Sequence, residues 1–311
     1  MLRRSFLGAM GAAAIAKAQT APALPFPVID THIHLFDPTR PQGVPWPAKG
    51  SQIFRPTLPA DFRRLTAALG VKGAIEIECS PWLDDNQWVL DTIAKDSIML
   101  GTVGDIEPDR EDFAAQFERF HRDPLFLGIR FGNLWGRNLA NETGNARFVD
   151  GLKLLAQAGL VLDTANPNAE LIEAVVRVTD KVPDLRVVVD HLAGYTPPVD
   201  RAARAAYDHN LRELASRKQV YVKISQVLVR VDGRVALDLA SHKPRLDELT
   251  GIFGEDHVLY GSDWPNSEPV APYDAVFAVV REYFMGKGRA AAEKYFWKNS
   301  QAAYRWKERK G

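Results

Sequence analysis

Two histidines one residue apart, His32 and His34, stand at the end of the apolar run VIDTHIHLFDP at residues 28–38. Successive side chains of a β-strand face opposite sides, so positions i and i+2 leave a strand together. Two imidazoles aimed at one point can share a metal ion or polarise one substrate oxygen between them. With seven histidines in 311 residues, an H-x-H arises by chance in about one such chain in six. Its place lifts it above chance, because it closes the first strand-like run with Asp30 just before it.

Side chains placed this way need a scaffold that gathers strand ends. Short apolar runs at 28–34, 73–78, 99–105, 125–131, 160–164, 186–191, 220–225 and 257–263 alternate with helical patterns at 58–69, 85–95, 110–122, 148–158, 168–181, 201–217, 273–285 and 289–306. Eight buried strands alternating with helices predict an α/β fold, a (β/α)8 TIM barrel forming one domain. A doubly wound open sheet is the alternative, but no glycine-rich dinucleotide or phosphate loop follows an early strand. In a barrel the catalytic residues sit at the C-terminal strand ends. Those ends hold His32 and His34, Glu76 and Glu78, Asp105 and Glu107, Arg130 with Asn133 beyond it, and Asp163. They continue with Asp190 and His191, Lys223 and Ser225, and Ser262, Asp263 and Trp264. His121, His209, His242 and His257 fall on helices or strand starts and read as surface or structural.

Ahead of the first strand, Arg3 and Arg4 precede Ser5, Phe6 and Leu7, a small-residue apolar stretch and Ala16-Lys17-Ala18. That order reads as a twin-arginine-type export signal at 1–18, whose cleavage leaves 19–311 as a periplasmic or secreted barrel with no membrane anchor. An amphipathic helix docked on the barrel is the other reading. Basic and acidic residues balance at 39 each, which leaves no electrostatic footprint for nucleic acid. Cys79 is the only cysteine, so stability has to come from the core rather than from an intramolecular disulfide. The proline-rich stretch 38–59 reads as a long loop, a kind that usually carries function in a compact domain. Oligomeric state leaves no mark on the sequence.

Five segments, VIDTHIHLFDP, LGIRF, PDLRVVVDHLAG, VYVKIS and VLYGSDWP, at strands 1, 4, 6, 7 and 8, resemble the amidohydrolase superfamily in its amidohydrolase-2, lactonase-type branch. The resemblance runs from Val28 to Tyr304. It implies a hydrolase acting on a small molecule, the lactone of a sugar acid or a related carboxylated lactone. It also implies that His32, His34, His191 and Asp263 are the catalytic set, with Arg130 holding a substrate carboxylate or hydroxyls. Strand 4 reads Gly128-Ile129-Arg130 where two-metal members carry a bridging lysine or glutamate, which argues against a binuclear site. Strand 5 reads Leu162-Asp163-Thr164 where many one-metal members carry a histidine. Two possibilities stay open: one divalent ion, zinc first, on His32, His34 and Asp263 with His191 or Asp163 as a fourth group, or no metal at all.

Opening a lactone needs a nucleophilic water, a base for its proton and a grip on the carbonyl oxygen. Asp263 is the candidate base, and once protonated it can return the proton to the leaving alkoxide. The histidines, or the ion they hold, would polarise the carbonyl, and the Arg130 fork matches a carboxylate. Glu78 is a candidate substrate contact, and Trp46, Trp82 and Trp135 offer flat faces to a ring. Each has a competing use: Arg130 with Asp105 or Asp163, Glu76 and Glu78 with Lys223, His191 as a helix cap, Asp263 in its own turn, the tryptophans in packing. A metal-dependent decarboxylase shares the H-x-H and the last aspartate but carries the strand 5 histidine missing here. A non-catalytic periplasmic binding protein has no residue pattern in its favour.

Overall fold

Valine, isoleucine and leucine dominate eight short segments that a parallel sheet buries on both faces. They are β1 (Val28–Ile33), β2 (Val71–Ile77), β3 (Met99–Gly104), β4 (Phe126–Arg130), β5 (Val161–Asp163), β6 (Arg186–Val189), β7 (Val220–Ile224) and β8 (Val258–Tyr260). The computed structural model describes residues 23–309, so the export signal read at 1–18 lies outside the described residues. The strands follow one another in chain order in a single parallel sheet. The principal helices between and after them are α1 (Pro59–Thr66), α2 (Leu83–Ile93), α3 (Phe113–Phe120), α4 (Ala146–Ala158), α5 (Ala169–Lys181), α6 (Arg201–Ala215), α7 (Leu239–Phe253) and α8 (Tyr273–Gly286). The expected single-domain (β/α)8 barrel is what the chain forms.

Closure comes from a few bonds between β1 and the end of β8. The His34 amide donates to the Trp264 carbonyl at 2.8 Å, and the Asp263 amide to the His32 carbonyl at 2.9 Å. Thr31 Oγ1 reaches the Tyr260 carbonyl at 2.6 Å. Buried Asp30 ties both sides, accepting from the Ser262 amide at 2.9 Å and the His32 amide at 3.1 Å. Its other oxygen takes the Tyr273 hydroxyl from α8 at 2.9 Å.

Alternation along each strand divides the apolar residues into two clusters. The smaller takes Ile29, Ile75, Leu100, Leu127, Val161, Val188, Tyr221 and Leu259, one from each of the eight strands, with Tyr304 and Trp306. The other joins the opposite strand faces to the helices. The C-terminal helix expected over 289–306 runs from Arg289 to Tyr304 with a wide turn at Lys294–Lys298, and ends where Arg305 is left-handed at φ 56°. That turn of the chain lets Trp306 join the smaller cluster instead of extending the helix. Helix α7 carries no expectation from the sequence because Pro244 lies inside it and proline ordinarily marks a start or a break. Its start is fixed instead by Asp238, whose side chain accepts from the Ser241 amide at 3.0 Å.

Gly128 shows how close β4 and β5 run. A Cβ there would collide with the Val161 carbonyl oxygen and side chain on β5. Gly128→Ala should therefore lower stability by about 1–3 kcal/mol, the usual cost of overpacking. A urea midpoint that falls at unchanged slope would show it, and an unchanged midpoint would refute the close approach.

Candidate active site

Three imidazoles converge on one carboxylate oxygen. Asp263 Oδ1 lies 3.1 Å from His34 Nε2, 3.5 Å from His32 Nε2 and 3.7 Å from His191 Nε2. His32 lies next to the end of β1 and His34 directly follows the strand, with ring centroids 4.9 Å apart and nearly perpendicular. His191 arrives from the end of β6, its ring 4.2 Å from that of His32. The other Asp263 oxygen, Oδ2, accepts 2.8 Å bonds from Gln226 Nε2 and Asn266 Nδ2. Burial alone would push the Asp263 carboxyl up, but His191, the His34 hydrogen bond and His32 together hold it well below the ordinary carboxylate range. The carboxylate therefore stays ionised.

Burial acts the other way on the imidazoles, since it disfavours their charged form. His191 is pushed down to about 4 against the pull of Asp263 and Asp190. His32 is held well below its ordinary value, again by burial above all. Both rings are neutral near pH 7. His34 Nδ1 lies 2.7 Å from the Ile77 carbonyl, which can only accept, so that nitrogen carries the hydrogen.

Beneath the histidines lies a buried ionic layer. Lys223 Nζ, with no exposure, sits 2.6 Å from Asp163 Oδ2, 2.8 Å from Asp190 Oδ1 and 3.3 Å from His32 Nδ1. Asp190 also takes Arg130 Nε at 3.1 Å. Its carboxyl is held low despite burial by Lys223, His32 and Arg130. The Lys223 partners are thus Asp163 and Asp190, not Glu76 or Glu78. Arg130 likewise pairs with Asp190 rather than Asp105 or Asp163, while Arg137 takes Asp105.

A pocket of about 120 Å³ opens above, lined among others by His34, Trp46, Arg130, Trp135, His191 and Asp263. Trp46, from the long 38–59 loop, stands edge-on to His34 at 5.6 Å between centroids. Glu78 lines the pocket too, but its oxygens are engaged at 3.1 Å by Arg137 Nη2 and by Trp135 Nε1. It tethers the loop after β4, and a substrate would have to compete with that tether. Arg130 bonds the Glu78 carbonyl through Nη1 and Asp190 through Nε, and among the described residues Nη2 has no acceptor. Trp82 does not line the pocket and is 39% exposed. Asp163 is bonded to Lys223 and to the Tyr304 hydroxyl, which removes it from the donor set around Asp263. Gln226, Asn266 and Arg137 escaped the sequence reading. Gln226 directly follows strand 7 and Asn266 sits three residues after Asp263, so position alone could have flagged them.

Seven non-glycine residues among those described have positive φ, and five of them, Trp135, Asn166, His191, Gln226 and Asp263, line this one pocket. Left-handed backbone costs about 1–3 kcal/mol where the residue is ill suited to it, and it gathers at functional sites.

The donor set fits one divalent ion. His32, His191 and Asp263 offer one ligand atom each, all within 4.8 Å of one another. His32 Nε2 is buried with no hydrogen-bond partner. His34 Nε2 lies beside this set, 3.1 Å from Asp263 Oδ1. A cation among them would satisfy these atoms together. Two imidazole nitrogens and a carboxylate oxygen, with room for water, are the donor set of a catalytic divalent-ion site.

Residues 29–306 match the family model described as amidohydrolase. L-fucono-1,5-lactonase of Burkholderia ambifaria is 26% identical over 245 residues, covering 77% of this chain and 80% of that protein. L-fucono-1,5-lactonase of Burkholderia multivorans is 26% identical over 293 residues, covering 88% and 94%. An amidohydrolase from Burkholderia multivorans, solved with bound zinc, superposes with a TM-score of 0.77 at 21% identity, covering 90% of this chain and 99% of that one.

Glu76 is buried, with Thr102 Oγ1 donating to Oε2 and no partner on Oε1 among the described residues. Burial first, and Glu78 after it, raise this carboxyl from 4.5 to about 8. Between those values the folded chain holds a proton that the unfolded chain has lost, so stability falls as pH rises through the window. Glu76→Gln removes that dependence. The melting temperature of the variant should gain on wild type from pH 4.5 to about 8 and hold its lead above that. A difference constant across this range would show that Glu76 is ionised throughout.

Proposed function

The chain belongs to the amidohydrolase family, and from that premise we propose that it hydrolyses the lactone of a sugar acid or a related carboxylated lactone. The convergence of His32, His34 and His191 on the Asp263 carboxylate, inside a small pocket that also holds an arginine, is the observation that carries this reading. The lactonase relatives support it, and β5 ends in Asp163, already engaged by Lys223, where the decarboxylase reading calls for a histidine.

Asp263 Oδ1 accepts a proton from the attacking water as the water oxygen bonds to the lactone carbonyl carbon. Its depressed proton affinity makes it a poor resting place, so the proton passes on to the ring oxygen as the C–O bond breaks. Gln226 and Asn266 hold Oδ2 and so fix the plane in which Oδ1 points. The neutral imidazoles lie where the carbonyl oxygen gains negative charge, and Arg130 Nη2 is free to take a substrate carboxylate or hydroxyl. His32, His191 and Asp263, with His34 beside them, would hold a divalent ion, zinc on the nature of the donors, which supplies Lewis-acid polarisation of the carbonyl. The paired arginines and small-residue stretch at 1–18 support export to the periplasm as the place of work.

Ring opening releases one acid group per turnover, so proton release across a panel of five- and six-membered sugar-acid lactones is the direct assay. Catalysed acid release is expected from the enzyme as isolated, falling with a zinc chelator and returning with zinc, with close to one zinc per chain by elemental analysis. Carbon dioxide release from aromatic acids without lactone opening would overturn the hydrolase reading, and full activity with chelator and no bound ion would remove the metal. Asp263→Asn keeps the left-handed backbone, which asparagine tolerates, and should lower kcat by about 10²–10⁴-fold with an unchanged melting profile. A near-normal kcat would remove Asp263 from proton transfer.

A further inference from the structure

A second chamber adjoins the catalytic pocket and is the larger of the two, about 320 Å³ against about 120 Å³. Gln226, Asp263 and Asn266 line both and form the common wall. The remaining lining is mainly aliphatic: Val227, Leu228, Val229, Val270 and Val276.

Its polar groups are mostly committed. The Gln226 and Asn266 amides are bonded to Asp263 Oδ2. Arg230 donates to the Gly233 carbonyl at 2.9 Å and the Pro269 carbonyl at 3.0 Å, and so ties a hairpin, Arg230–Val231 paired with Arg234–Val235, to the segment after β8. Ser262 Oγ accepts from the Trp264 amide at 3.0 Å. Ser267 Oγ is left as an unpaired hydroxyl among the described residues. A polyhydroxylated chain placed here would exchange many water hydrogen bonds for few. An alkyl chain loses nothing and gains burial. Val229, in this lining, is 39% exposed and so stands at the chamber's mouth.

We propose that this chamber is a subsite for an alkyl substituent of the lactone, seated beside the catalytic carboxylate while the lactone ring occupies the smaller polar pocket. The inference rests on the reading of that pocket as a lactone-hydrolysing site and narrows its substrate class to lactones with an aliphatic arm. Burial of each methylene carries about a fourfold factor in kcat/KM.

The test is a homologous series of γ-butyrolactones bearing methyl, propyl and pentyl groups at the ring carbon next to oxygen, assayed by proton release. A parallel series of straight-chain carboxylates, butanoate to octanoate, is measured by calorimetric binding. Wild type should gain up to about fourfold in kcat/KM per methylene until the chamber is full. Val229→Asp, a half-exposed loop position whose folding is checked by its melting profile, should flatten that rise, and Val229→Trp should cut it off at shorter chains. Lactone opening with no rise along the series overturns the chamber and leaves the hydrolase reading standing. No opening of these lactones or of the sugar-acid panel, with carboxylate binding that still tightens by chain length in wild type but not in Val229→Asp, overturns the hydrolase reading and keeps the chamber. No opening of any lactone and no chain-length dependence of carboxylate binding overturns both.

Discussion

The seam between the first and last barrel strands is the constraint on which the site depends. The Asp263 amide bonds the His32 carbonyl and the His34 amide bonds the Trp264 carbonyl, so the residues that close the barrel are also those that meet in the pocket. Closing the sheet and assembling the site are a single event. Buried Asp30 reinforces the seam from below by accepting from the amides of His32 and Ser262 and from the Tyr273 hydroxyl. Burial lifts its carboxyl to about 6 even though all of these bonds favour the charged form. A group kept in so costly a place serves geometry, because its bonds fix the backbone on either side of the imidazoles and the carboxylate.

The charge beneath the pocket follows from the same economy. Lys223 has no exposure and Arg130 very little, and each would be strongly unfavourable alone. Asp190 faces both of them and Asp163 faces Lys223. Asp190 thereby connects the arginine that reaches the pocket to His32 near the end of β1. The layer leaves His32 and His191 neutral, as burial dictates, and neutral imidazoles are the form that presents a lone pair to a cation or a hydrogen to an oxygen.

Much of this was legible before any coordinates. The i, i+2 spacing of His32 and His34 put both rings on one side of a strand end, and the strand-end rule placed His191 and Asp263 beside them. The barrel followed from eight apolar runs. Pairings that depend on distances across the barrel were not legible: a sequence shows that Lys223, Asp163, Asp190, Glu76 and Glu78 face one rim, but their separations decide which carboxylates the lysine takes. Gln226 and Asn266 are uncharged, so nothing in residue type announced them. Helix α7 was hidden by Pro244, and Trp306 was assigned to a helix because the left-handed Arg305 that turns it inward has no mark in the sequence.

The backbone conformations at the pocket serve the same carboxylate. A carboxylate that must hand a proton on has to keep one oxygen aimed and the other occupied, and free rotation about its bonds would defeat that. Two amide donors on Oδ2 prevent the rotation, but both must reach it from loops, Gln226 after β7 and Asn266 after β8. Gln226 does so with φ at 52°, Asp263 itself sits at 63° and His191 at 54°. Aspartate and histidine accept that region more readily than most residues, and glutamine less so. Such conformations persist only where the surroundings over-determine them. Here the surroundings are the closed seam, which the Asp263 amide itself helps to make, and the buried ionic layer below. The strained positions at the mouth are therefore the cost of a fixed carboxylate plane, borne by a barrel whose stability lies elsewhere.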